Sequence, residues 1–191
     1  MKKNIFFTLI ILSQIINGAS LIGKRIPKAR IRMVDGEYAK LSDFYSEGPL
    51  IIDFWTTWWT YCERQLGYLN ELNTAFQNVG LQVLAVNVNK PNTINQVRPY
   101  IKKRKYKFNV SVDPSSKLAK RFKVLGFPTF FLVDKNGTII YKSAGYEKGM
   151  ENKYLSKLLE YYDSEGIKYD DFKYTEEITD NSKDPNIRID F

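Results

Sequence analysis

The chain has 191 residues, 43% of them hydrophobic and 15% aromatic, enough for one ordinary core in a single domain of up to about 200 residues. It contains 29 Lys/Arg, 21 Asp/Glu and no histidine, for a formal net charge of +8, so imidazole is excluded as a base or metal ligand throughout. With a single cysteine beside no histidine, the usual zinc sites are excluded too, and the sequence implies no metal and no cofactor.

The charge is uneven. Residues 1–162 carry 25 Lys/Arg and 12 Asp/Glu, a net of +13, whereas residues 163–191 carry 4 and 9, a net of −5. Two readings of the acidic C-terminal tail, 163–191, stand side by side: a solvated end, or a segment that folds back on the basic domain or docks on a partner.

At the N-terminus, Lys2 and Lys3 precede a mostly apolar run from Ile5 to Ile16, and Gly18-Ala19-Ser20 supplies small residues. This reads as an export signal over residues 1–20. The run falls short of the about 20 residues that span a bilayer. Its alternative is an uncleaved anchor, the only membrane contact the sequence suggests. No cysteine follows the run, which excludes lipoprotein attachment. Export leads to an oxidising compartment, where a lone cysteine reads as an intermolecular partner or a free thiol.

From Gly23-Lys24-Arg25-Ile26-Pro27 through Leu41-Ser42-Asp43-Phe44 the chain reads as an extended lead-in with one turn at Asp35-Gly36. Leu50 to Trp55 is a short, nearly continuous apolar run, as suits a strand covered on both faces. Leu66, Leu69, Leu72 and Phe76 recur at three- and four-residue spacing and predict an amphipathic helix over Thr60–Phe76, ended by Gly80. Leu81–Val88 predicts a second buried strand, Thr93–Lys105 a helix with a very basic end, Asn109–Asp113 a short strand and Ser115–Lys123 a helix. A strand follows within Val124–Asp134. The Asn136-Gly137 pair predicts a hairpin turn, with Ile139–Ser143 as the returning strand. Met150–Tyr162 closes the domain as a helix whose apolar stripe is Tyr154, Leu155, Leu158, Leu159 and Tyr162. Strands alternating with helices, ending in a hairpin and a helix, predict a mixed central sheet flanked by helices.

Four features in this order resemble one family: the lead-in Ile26-Pro27 with Asp35 and Leu41-Ser42-Asp43-Phe44; the strand running into Phe54-Trp55-x-x-Trp58; the loop Gly126-Phe127-Pro128-Thr129; and Val133-Asp134-x-x-Gly137. Over about Leu21 to Tyr162 the chain resembles exported thioredoxin-like proteins of the TlpA/ResA kind, the envelope thiol–disulfide oxidoreductases related to the redoxins. The resemblance implies a thioredoxin-like α/β fold with an N-terminal extension and a cis-proline loop at Pro128, in the periplasm or cell envelope of a bacterium, where nucleic acid is not a partner. It also implies a Cys-x-x-Cys pair at the start of the Thr60 helix. Here that segment is Trp59-Thr60-Tyr61-Cys62. The family's first cysteine is stabilised as thiolate by the helix N-terminus, and Trp59 has nothing to ionise. Disulfide exchange needs an attacking thiolate and a resolving thiol, and one cysteine cannot form an intramolecular disulfide. After Cys62, where the family has a glutamate and a proline, stand Gln65 or Leu66 and then Gly67.

The resemblance also assigns roles to individual residues. Asp53 matches the buried acid that serves the second cysteine as a proton acceptor; its bland counterpart is an idle buried carboxyl. Cys62 is either a reactive monothiol activated by Asp53 or a small buried hydrophobe. Phe127 offers its backbone to an extended peptide, a contact that needs no thiol. Trp55, Trp58, Trp59, Tyr61 and Phe127 would surround that groove as anchors. Two functions follow: a member that binds peptides or proteins at the Pro128 groove without turning them over, or an oxidoreductase restricted to monothiol chemistry at Cys62. A peroxiredoxin-type peroxidase needs an activated cysteine at a helix start and ranks third. The cluster Lys102-Lys103-Arg104-Lys105-Tyr106-Lys107 reads as a solvated helix end or as a site for an anionic partner. Asn186–Phe191 alternates as an edge strand would, or is a disordered end.

Overall fold

The computed structural model describes residues 21–172. The expected export signal, the acidic tail from Lys173 onward and the alternation at Asn186–Phe191 lie outside the described residues.

Seven strands form one sheet. They are β1 (Arg30–Met33), β2 (Tyr38–Lys40), β3 (Leu50–Trp55), β4 (Gln82–Asn87), β5 (Asn109–Val112), β6 (Thr129–Val133) and β7 (Ile139–Ala144). Their order across the sheet is β2-β1-β5-β4-β3-β6-β7. β3, β4 and β5 run parallel, and the remaining neighbours are antiparallel, so the sheet is mixed as expected. The helices are α1 (Thr60–Phe76), α2 (Val97–Arg104), α3 (Lys117–Arg121) and α4 (Met150–Glu165).

β3 is buried at every position, and its alternation divides the core. Ile51 and Trp55 belong to a layer shared with α1, α2 and α4, through Leu66, Leu69, Leu72, Val97, Tyr154 and Leu158. Leu50, Ile52 and Phe54 belong to the opposite layer with Leu118 and Phe122. With period two, Asp53 must face the first layer. Phe130 stacks on Tyr154 with centroids 4.1 Å apart and joins β6 to α4 in that layer.

The lead-in is more structured than an extended segment. Asp35-Gly36 turns β1 into β2, with Gly36 at φ +103, and the hairpin extends the sheet beyond β5. Before it, Ile26 N–H donates to Gly137 O, Gly23 N–H donates to Ile139 O, and Ile139 N–H donates to Lys24 O. One segment therefore touches both ends of the sheet. Two expected helices are shorter than their patterns: a 3₁₀ turn at Ile94–Gln96 precedes α2, and α3 has five residues, because Ser116 and Lys123 adopt positive φ at its ends. α4 runs three residues past Tyr162, and Ile167, Tyr169 and Phe172 then pack back on the core. Phe172 meets the Phe76 ring at 5.5 Å.

β3 and β4 begin where two glycine backbones approach. A Cβ on Gly48 would lie 2.3 Å from Gly80 O and 2.8 Å from its carbonyl carbon, so backbone rather than a flexible side chain would have to yield. Gly48→Ala is expected to lower unfolding free energy by about 2 kcal/mol, in the range of overpacking a tight site. Urea unfolding checks this; an unchanged midpoint would mean that the approach does not constrain the fold.

Candidate functional site

The site is built at the C-terminal end of β3, where the chain leaves the sheet and enters α1. The intervening loop is pinned by side chains from the end of β4. Thr57 N–H donates to Asn89 Oδ1 at 3.0 Å, Asn89 Nδ2 donates to Thr57 Oγ1 at 2.7 Å, and Asn87 Nδ2 donates to Asn89 Oδ1 at 3.1 Å. On the other side, Arg104 of α2 pairs with Glu63 in the first turn of α1 at 2.6 Å and lies 3.6 Å over the Tyr100 ring. Tyr100 in turn packs on Trp55.

Trp59 is the N-cap residue of α1, with extended φ and ψ and no side-chain cap bond. Its carbonyl accepts from Cys62 N–H at 2.9 Å. The positive end of the helix dipole therefore meets an indole instead of a group that it could ionise.

Cys62 is fully buried in the layer with Trp55 and Leu66. Burial pushes its thiol up to about 12; a backbone bond from Thr56 offsets part of this, and neighbouring Asp53 adds to it. Asp53 is also fully buried. Its Oδ1 accepts from Gln65 Nε2 at 2.5 Å, and Gln65 Oε1 accepts from Tyr154 O–H at 3.1 Å. Asp53 Oδ2 has no partner among the described residues. Burial raises its carboxyl well above the usual carboxylate range, against a smaller opposing effect of the Gln65 bond.

The structure thus brings Asp53 and Cys62 together and adds two residues that sequence reasoning did not assign to the site. Gln65 appeared only as a departure from the family pattern, and Tyr154 only as one position of an apolar stripe. The signal available for Gln65 was its place three residues after Cys62, on the same helix face.

The remaining expected residues form the surface above this buried pair. Trp58, Trp59 and Tyr61 are 65%, 43% and 48% exposed. Trp58 meets Trp59 edge-on at 5.6 Å, Trp59 meets Tyr61 at 6.1 Å, and Tyr61 stacks on Tyr146 at 5.8 Å. Tyr146 also bonds to the Glu151 carboxylate of α4. It follows Gly145, whose N–H donates to Pro128 O at 2.8 Å, so the aromatic line leads to the Pro128 loop. There the Phe127–Pro128 bond is cis, Pro128 is buried, Phe127 is half-buried, and Leu125 is fully exposed. The pairing of Phe54 with Thr129 holds this loop beside the end of β3. Trp55, by contrast, is fully buried and takes no part in the surface. Tyr146 and Leu125 were not legible as members, because the contacts that recruit them cross between loops far apart in sequence. Lys102, Lys103, Lys105 and Lys107 are exposed at the end of α2.

Among the described residues, no cluster of His, Cys, Asp or Glu suits a metal ion.

The chain matches the family model described as AhpC/TSA family over residues 22–142. It is 30% identical over 138 residues to the thiol-disulfide oxidoreductase ResA of Bacillus thuringiensis subsp. konkukian, covering 72% of this chain and 78% of the relative. It is 30% identical over 131 residues to the thiol:disulfide interchange protein DsbE of Escherichia coli K12, covering 66% and 67%. Among solved structures, the exposed lipoprotein thioredoxin of Streptococcus pneumoniae superposes with a TM-score of 0.60 at 26% identity, covering 70% and 99%.

The raised carboxyl of Asp53 carries a sign. Its folded pKa lies above the unfolded value of about 3.8, so the native state binds the proton more tightly. Its contribution to stability is greatest at low pH and falls as pH rises from the unfolded value toward the folded one. Asp53→Asn removes that titration. The variant is expected to match the parent in acid and to gain on it by up to about 1.4 kcal/mol per pH unit through that window, as measured by denaturant unfolding at several pH values. A variant less stable at neutral pH would show that the carboxylate is needed.

Proposed function

The chain belongs to the AhpC/TSA family and, within it, to the thiol–disulfide oxidoreductases related to ResA; from that premise we propose that this member binds extended peptide or protein segments at the Pro128 groove and does not run the dithiol cycle. One observation carries the reading: the helix-start position belongs to Trp59, while the chain's single thiol is fully buried and pushed up to about 12. A thiolate is the reacting species, and a thiol held neutral and out of reach supplies none. The same environment opposes monothiol chemistry at Cys62. Asp53 does not reverse this, because its own carboxyl is held toward the neutral form and any charge it carried would raise the thiol further.

Binding needs neither group. The line Trp58–Trp59–Tyr61–Tyr146 and the exposed Leu125 give apolar area beside the loop. Exposed apolar patches of this kind mark interaction sites, and Trp and Tyr are the residues most often found to dominate them. The N-terminal segment supports placing this activity outside the cytoplasm.

Two measurements test the proposal. Alkylation of Cys62 is expected to be negligible in the folded protein across the neutral and mildly alkaline range and rapid once it is unfolded. A fast native reaction with an apparent pKa below the free-thiol value of about 8.5 would instead favour the monothiol enzyme. For binding, a library of extended peptides is screened by tryptophan fluorescence, and Trp59→Ala is expected to weaken the best binder by about tenfold or more. Equal affinity of variant and parent would remove the groove reading.

A further inference from the structure

The chain leaves the described residues at a point from which it can return to the aromatic surface. Phe172 meets the Phe76 ring at 5.5 Å, and Phe76 stacks on Tyr162 in the last turn of α4. The other end of α4 lies at the surface, where Glu151 of its first turn bonds to Tyr146 and Tyr146 stacks on Tyr61. The way from Phe172 to the surface is therefore close to the length of α4, whose 16 residues rise about 24 Å. The 15 residues from Lys173 to Ile187 reach up to about 50 Å when extended, about twice what that path needs.

The sequence along this stretch divides in two. From Lys173 to Asp184 the only large apolar side chains are Tyr174 and Ile178, set among Glu176, Glu177, Asp180 and Asp184, a composition that favours hydration over burial. Pro185 then biases Asp184 toward extended backbone. Asn186-Ile187-Arg188-Ile189-Asp190-Phe191 alternates, so in an extended course Ile187, Ile189 and Phe191 share one side and Arg188 and Asp190 the other. Side chains on one side recur about every 6.7 Å. The rings of the surface recur at 5.6 Å from Trp58 to Trp59, 6.1 Å from Trp59 to Tyr61 and 5.8 Å from Tyr61 to Tyr146. A row of three apolar side chains thus matches a row of rings of nearly the same repeat. Beside that row, neither the N–H nor the C=O of Phe127 takes part in a loop hydrogen bond among the described residues, which leaves both for an extended partner.

We propose that the segment Ile187–Phe191 of the same chain occupies the Pro128 groove as a tethered ligand, with Ile187, Ile189 and Phe191 against Trp58, Trp59 and Tyr61; this rests on the groove reading given under the proposed function. The acidic stretch before it is the tether. Tethering holds the segment at a local concentration on the order of millimolar, so a peptide from outside binds by displacing it. The outside ligands that succeed share its chemistry: extended segments with apolar side chains at every second position.

The test compares the full chain with its triple variant Ile187→Ser/Ile189→Ser/Phe191→Ser. The probe is a synthetic peptide of residues 185–191, read by tryptophan fluorescence, since Trp58 and Trp59 both lie in the exposed surface. The triple variant is expected to bind the peptide saturably, and the parent about tenfold more weakly. Adding Trp59→Ala to the triple variant is expected to weaken the peptide by about tenfold. Hydrogen exchange gives a second readout in the unlabelled parent: amides 187–191 are protected, and Trp59→Ala lowers that protection by about tenfold. Unprotected amides in the parent, or protection that Trp59→Ala leaves unchanged, overturn the proposal. If library peptides bind parent and triple variant equally, or the triple variant binds them but not residues 185–191, the tethered ligand is overturned and the groove reading stands. If neither chain binds any extended peptide, the groove reading fails and the tethered ligand with it.

Discussion

An acid and a thiol share one buried layer, and burial favours the neutral form of each. Asp53 sits in the middle of β3, the strand that is buried throughout, and strand alternation turns it toward α1 and α4. There Gln65 binds one oxygen and Tyr154 donates to Gln65, so β3, α1 and α4 are tied by a polar chain through this layer. Deep burial favours the neutral form of both Asp53 and Cys62. Charging either would raise the energy of charging the other. Both groups are thus favoured in their neutral forms within a thioredoxin-like frame.

The frame itself follows from ordinary constraints. The parallel strands β3, β4 and β5 need covered faces, supplied by α1, α2 and α4 on one side and by α3 with the lead-in on the other. The loop after β3 is held by Thr57, Asn89 and Asn87, which fixes where α1 begins. Trp59 is consequently displayed at the surface and not packed inside. Its bulky side chain occupies the helix start, where the family resemblance implies a cysteine.

Much of this was legible in the sequence. β3 and α1 carry strong patterns, a continuous apolar run and a regular Leu66–Leu69–Leu72–Phe76 spacing, and both matched the expected bounds. α3 and the start of α2 did not, because their limits depend on backbone conformations at Ser116, Lys123 and Thr93 that periodicity does not encode. The lead-in read as extended because strands of three and four residues have little pattern of their own; β1 is defined by partners on β5, and β2 by partners on β1. Asp53 and Cys62 were legible as a pair through the family resemblance. Gln65, Tyr154 and Tyr146 were not, since each joins the site through a contact across long sequence separation, and a polar tip on an apolar stripe looks the same whether it is idle or bonded.

The loop before α1 and the start of α3 belong to one hydrogen-bonded unit. The parallel strands end together, and their C-terminal ends form a rim, the region where open α/β sheets place their ligands. Along it Thr57 is bonded to Asn89, Asn89 to Asn87, and Asp113 N–H donates to Asn87 O at 2.7 Å. Asp113 then holds the first turn of α3, accepting from Lys117 N–H and Ala119 N–H. A continuous set of short, mostly buried hydrogen bonds thus joins the loop before α1 to the start of α3 across the same three strand ends. These bonds are made by the backbone and by Thr57, Asn87, Asn89 and Asp113, so the geometry of the rim does not depend on the side chain at the helix start.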